Sequence, residues 1–234
     1  MASERTFQDR YQRANSLKDA VVLLTPAYAP ADPKYSVAAL TTALGAADTA
    51  NLAVTDKRAF YEDDVSDRQA LVKALGPLVT QSLAHVKSNT AWAKRYDAVK
   101  KAADKVRGVR PKAPKKSADP DPDQKTRESG ERSFVEIAAF FNAYIARLGA
   151  LSGYAPSDDA IKLPALQATW LQLDDLNKSI SNLSQDLADA IRDRADAYTG
   201  KAGLKFVFDG VKTSVKGQYG QKSPNYSAVS SMRW

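Results

Sequence analysis

Apolar residues recur every three or four positions along most of this chain. Phe7, Tyr11, Ala14, Leu17, Val21 and Leu24 mark one face of a first helix, about five turns long. Ser3 stands where a cap would be. Thr25-Pro26 ends that helix, and the stretch Tyr28-Ala29-Pro30-Ala31-Asp32-Pro33 forces an extended turn, because the residue before each proline is pushed out of the helical region. Asp32 before Pro33 then reads as a cap with proline at the first helical position. From 34 to about 75 only Gly45 interrupts, which predicts a single helix of about forty residues, roughly 60 Å long.

A second stripe follows the same design. Behind Asp158 as a cap, Leu163, Leu166, Trp170, Leu173, Leu176, Ile180, Leu183, Leu187 and Ile191 run on to Tyr198 with hardly a gap. Gly76-Pro77 and the glycines Gly200 and Gly203 predict breaks, after which helices resume over 78–86 and 204–215. Shorter helical segments are predicted over 90–106 and 223–232, the latter with Ser223-Pro224 as cap and first residue.

The two stripes are related. Shifting the chain by 126 places lays Tyr28-Ala29-Pro30 on Tyr154-Ala155-Pro156. Asp32, Ala39, Leu40, Asp48, Asn51, Asp63, Asp67 and Arg68 then fall on identical residues without a gap. A unit repeated at constant spacing is a structural device, since each copy must present the same faces. The expectation is an all-α protein: two tandem up-and-down helical bundles of three or four helices, each organised around one long helix and related by internal duplication. Copy one occupies 1–108 and copy two 131–234. Between them, 109–130 reads as a charged, proline-containing linker, because Val109-Arg110-Pro111-Lys112-Ala113-Pro114-Lys115-Lys116 and Asp119-Pro120-Asp121-Pro122-Asp123 cannot bury a core.

The Tyr-Ala-Pro turn, the Ala-Leu pair early in each long helix (Ala39-Leu40 and Ala165-Leu166), the basic stretch after Val106-Arg107-Gly108, and the ending Tyr219-Gly220-Gln221-Lys222-Ser223-Pro224-Asn225-Tyr226 together carry a resemblance. Over most of its length the chain resembles a family of uncharacterised bacterial two-copy helical-bundle proteins. That resemblance implies the fold and brings no activity with it.

Alanine supplies much of the apolar content, which suits close helix contacts. There is no cysteine, so disulfides and thiolate metal sites are excluded. The charged N-terminal decapeptide shows no secretory signal, and the apolar run near 20–24 is too short to span a bilayer, so the expectation is a soluble cytoplasmic protein without a membrane partner. The Asn-x-Ser matches at Asn177, Asn182 and Asn225 are then chance.

Candidate chemistry is sparse. His85 is the only histidine, so the Glu-x-x-His pairs of di-iron bundles and the His-x-x-x-His of zinc hydrolases are both missing. No nucleophile elbow and no phosphate-cradling glycine motif occurs. Asp119, Asp121 and Asp123 lack the glycine and the bidentate glutamate of a calcium loop. No catalytic residue, cofactor, metal or small-molecule substrate is expected, and the chain reads as a non-enzyme.

Charge is more informative. The chain carries +7 overall, yet 87–116 holds eleven basic residues against two acidic ones, and 199–234 six against one. In one reading Lys100, Lys101, Lys105, Arg107, Arg110, Lys112, Lys115 and Lys116 contact a protein partner or the phosphates of nucleic acid, with Trp92 and Tyr96 placed for stacking. In another, the row Asp186, Asp189, Asp193 and Asp196 is a docking face for the basic end of a second copy, and head-to-tail contacts build a ring or filament. A third reading leaves both as solvated faces. Tyr226 and Trp234 are either the lid of the second core or a tail interface. Self-association or protein contact in a structural, scaffolding role is the leading expectation, with nucleic-acid association as the alternative.

Overall fold

Two aspartates and a tyrosine pair decide how each long helix begins. The Asp32 carboxylate accepts from the Lys34 amide at 3.0 Å and closes a 3-10 turn over Pro33–Tyr35. At positions 126 residues later, Asp158 accepts from the Ala160 amide at 2.9 Å and closes the turn Asp159–Ile161. The Tyr28 hydroxyl donates to the Tyr35 carbonyl at 2.8 Å, and Tyr154 donates to Ile161 at 2.9 Å. Each turn is thus strapped by a phenol, and the helix starts two residues beyond it.

The computed structural model describes residues 4–109 and 133–234, and among them the secondary structure is helical throughout. In chain order the helices are α1 (Glu4–Val22), α2 (Val37–Ser88), α3 (Ala93–Arg107), α4 (Phe134–Gly149), α5 (Leu163–Thr199), α6 (Leu204–Tyr219) and α7 (Pro224–Ser230). The expected cap Ser3 and most of the expected linker, including Arg110, Lys112, Lys115 and Lys116, lie outside the described residues. α4 starts on a full capping box, in which Ser133 accepts from the Glu136 amide and Glu136 reaches back to the Ser133 amide.

The expected break at Gly76-Pro77 does not occur: α2 runs on for 52 residues with Pro77 inside it. Interior proline costs about 3 kcal/mol. Here its ring is exposed, while Leu75, Val79, Leu83 and Val86 form one buried stripe straight through it. Burying each of those side chains is worth about 1.5–3 kcal/mol, so packing outweighs the proline. The break at Gly200–Gly203 does occur. There the chain folds back on the end of α5, with the Gly200 amide on the Asp196 carbonyl at 2.8 Å. A side chain at Gly203 would put its Cβ 2.7 Å from that carbonyl oxygen.

The uninterrupted α2 changes the expected division at 108 and 131. The described residues gather into a central unit, Glu62–Asn182, and a flanking unit made of Met1–Tyr61 with Leu183–Trp234. A 52-residue helix is about 80 Å long, more than one small core can cover. Its two ends therefore serve different cores, as do those of α5.

In the flanking unit, Phe7, Leu17, Val21, Leu40 and Leu44 from the first part of the chain pack with Tyr198, Leu204, Phe208, Val211 and Val215 from the last. In the central unit, Leu75, Val79, Leu83 and Val99 pack with Phe141, Tyr144, Leu148, Leu166 and Leu173. Among the described residues α2 alone is long and apolar enough to cross a membrane. Its most apolar 18-residue window has a mean hydropathy of 1.3 and is 22% buried. The same helix supplies Leu40, Leu44, Ala47 and Val54 to the buried side of the flanking unit.

Candidate interaction surfaces

The lone imidazole stands among rings. In the central unit His85 lies 5.8 Å from Trp92 and 5.6 Å from Tyr154, which are themselves 6.0 Å apart. The polar ends of its neighbours point elsewhere: the Trp92 indole donates to the Ser152 carbonyl at 3.1 Å and the Tyr154 hydroxyl to Ile161. Burial raises the Tyr154 phenol above its ordinary range. The contacts that His85 makes here are with aromatic rings.

Trp92 is only 7% exposed, while Tyr96 is partly buried against the same core. The 3-10 turn Thr90–Trp92, closed by Asn89 on the Ala91 amide, turns the indole inward, away from the open face that stacking on a base would need.

α3 carries the described part of the basic segment. Its inner face buries Val99, Ala103 and Val106. Opposite them Lys94, Lys101 and Lys105 fall at spacings of seven and four, one helical face. Lys105 lies 5.6 Å from the Phe140 ring centre. Lys100 and Arg107 point differently and share Asp104, at 3.0 and 2.6 Å. Partial burial pushes the Asp104 carboxyl up, but the hydrogen bonds and charges of Lys100 and Arg107 prevail and hold it below its ordinary value of 3.8. Of the four predicted basic contacts that are described, Lys101 and Lys105 stand on the lysine face, and Lys100 and Arg107 form an intrahelical triad.

The acidic row belongs to the flanking unit. Asp186, Asp189, Asp193 and Asp196 recur at three, four and three along α5, on the side away from buried Arg194 and Tyr198. Asp186 pairs with Lys57 of α2 at 2.7 Å, and Asp189 pairs with Arg192. The row borders two open grooves between α2 and α5. One, of about 310 Å³, is lined by Ala50, Ala53 and Ala190 together with Lys57, Asp186, Asp189 and Asp193. The other, of about 440 Å³, is lined by Ala43, Ala46, Asp196, Ala197 and the residues 200–203. The alanines open these grooves by lacking bulk. Their spacing was visible in the sequence, but not that they face one another across two helices.

The tail lies on the core of the flanking unit. The Trp234 ring sits 5.4 Å from Phe208 and 6.4 Å from Tyr198, with the Arg10 guanidinium 5.8 Å away, and Tyr226 is partly buried against the same cluster. Lys212 holds the tail by donating to the Ser230 and Met232 carbonyls at 3.1 and 2.5 Å. Tyr226 and Trp234 are both partly buried against this core.

Among the described residues no group of three or more His, Asp and Glu side chains is arranged to hold a metal ion. Comparison of the chain with protein-family models, curated proteins and solved structures finds no match in any of them. They supply no family for the resemblance noted in the sequence.

Proposed function

We propose that the protein is a non-enzymatic structural or scaffolding component that associates with further copies of itself, built from a duplicated helical module. The duplication is supported by the two turns strapped alike 126 residues apart. The single observation that carries self-association is the pairing of surfaces: a lysine face on α3 of the central unit and a groove lined by alanines and aspartates on the flanking unit. Their lengths match. Lys94 to Lys105 spans about 16 Å of helix and Asp186 to Asp196 about 15 Å. Small residues lining the groove let a helix approach closely, while its aspartates select for positive charge. Because the two surfaces differ, a contact between them is heterologous and propagates into a ring or an open filament.

Light scattering after size-exclusion chromatography tests this. Assembly by these faces gives particles well above 25.4 kDa at low salt that shrink as salt is raised. Reversing Lys94 and Lys101 to Glu, or Asp189 and Asp193 to Lys, should each return the chain towards the monomer mass, and mixing the two variants should restore assembly. A monodisperse 25.4 kDa species indifferent to salt sinks the proposal.

The alternative reading is that the α3 lysine face contacts nucleic-acid phosphates. It predicts a salt-sensitive shift only when DNA is added, with a slope that falls by about 0.9 for each phosphate contact removed.

A further inference from the structure

The two halves of the chain exchange partners. Residues 4–109 and residues 133–234 both contribute side chains to each of the two cores. The interlock is made twice, with related chemistry. In the flanking unit the buried Arg194 guanidinium lies 4.3 Å from the centre of the Phe7 ring. In the central unit Arg68, 126 positions earlier, lies 3.8 Å from the centre of the Phe134 ring. Each guanidinium comes from one half-chain and each ring from the other.

The fit at these seams is that of a core cut in two. In the flanking unit Gly210 meets Tyr35 so closely that a Cβ there would sit 2.1 Å from the ring. In the central unit the fully buried hydroxyls of Ser82 and Tyr144 meet at 2.7 Å.

We infer that each half-chain is a binding module whose partner is another helical half of the same kind. The connection through 110–132 supplies that partner in cis and does not hold the complex together. Obligate interfaces have this composition, apolar and continuous with the core, and persist without a covalent tie. A separate polypeptide carrying one such half is therefore the partner this surface fits. The inference does not depend on self-association through the charged faces.

The test is to cut the full chain once. A protease site is placed between Pro120 and Asp121, and the folded, full-length protein is cleaved to completion. Expected is one species at the mass of the uncut chain, retaining its helical circular dichroism and both fragments after dilution to about 0.1 µM, as an obligate interface requires. Tagged and untagged cleaved protein, unfolded together in guanidinium and refolded, should yield mixed pairs on the tag, about half of the captured partners being untagged if pairing is random. Two separate species after cleavage, or a tag that recovers only its own fragment, overturns the inference. The uncut insertion variant must keep the parent spectrum, which separates a failure of pairing from a failure to fold.

Discussion

The central and flanking units solve one problem with different side chains, and the positions 126 residues apart show where they part. Pro77 lies inside α2, whereas Gly203 lies in the break between α5 and α6. Arg68 is half-buried in the central unit, whereas Arg194 is 4% exposed in the flanking one. A stripe of large apolar residues carries a helix through a proline that sequence rules would place at its end. Where the chain must double back onto carbonyl oxygens, only the absence of a side chain allows it. The lesson is that a breaker acts against whatever packing surrounds it.

The largest expected contrast is between the two arginines. Arg194→Ala should cost about 2–4 kcal/mol, because it empties a buried site and removes the cation from the Phe7 ring. Arg68→Ala should cost about 1 kcal/mol, since water can reach its place. Chemical denaturation of both variants decides, and equal losses would erase the distinction between the seams.

The next contrast is one of sign. Gly203→Ala drives a Cβ against backbone atoms and should destabilise by about 1–3 kcal/mol. Pro77→Ala restores a donor to the Lys73 carbonyl and should stabilise by about 1–3 kcal/mol. Thermal melting of the pair would show the two shifts moving in opposite directions.

Smaller is the buried hydroxyl pair, which the flanking unit does not share. Burial pushes the Tyr144 phenol up to about 12, against a lowering hydrogen bond from Ser82, so it stays neutral across the working range. Tyr144→Phe should cost about 1–2 kcal/mol and be read in hydrogen exchange confined to the central unit. Ser82 keeps its bond to the Leu78 carbonyl at 2.7 Å, which limits the loss.

The smallest effect is at acid pH. The Asp104 carboxyl is depressed below 3.8, so its stabilising contribution is present above that value and is lost as pH falls through the lowered one. Asp104→Asn should flatten the acid end of the stability profile by less than about 1 kcal/mol, because the triad is only partly buried and water still screens it. A variant that falls off with acid like the parent would assign the loss elsewhere.

Much of this architecture was legible in the residues. The 3.6-residue stripe gave the helices, and a capping aspartate, followed by proline at Asp32 but not at Asp158, placed the turns and the starts of α2 and α5. Periodicity names the buried face of a helix but not what covers it. That is why Leu75, Val79 and Leu83 could be assigned to a core without revealing that Phe141 and Tyr144, not the first helix, complete it. The site was less legible still. Lys101 and Lys105 look the same in sequence as Lys100 and Arg107, and only the geometry of α3 shows that the second pair shares Asp104. Trp92 read as available because the 3-10 turn that rotates it leaves only a weak mark, Asn89 three residues before it.

The reciprocal seam also fixes an order of events during synthesis. Residues 62–182 emerge from the ribosome as one continuous stretch and can collapse together. The opening segment, with Phe7, Leu17 and Leu40 bare, must wait until 183–234 follow. At roughly 5–20 residues per second that interval adds several seconds to the exposure. Nascent chains stalled in this window are where chaperones should be found waiting.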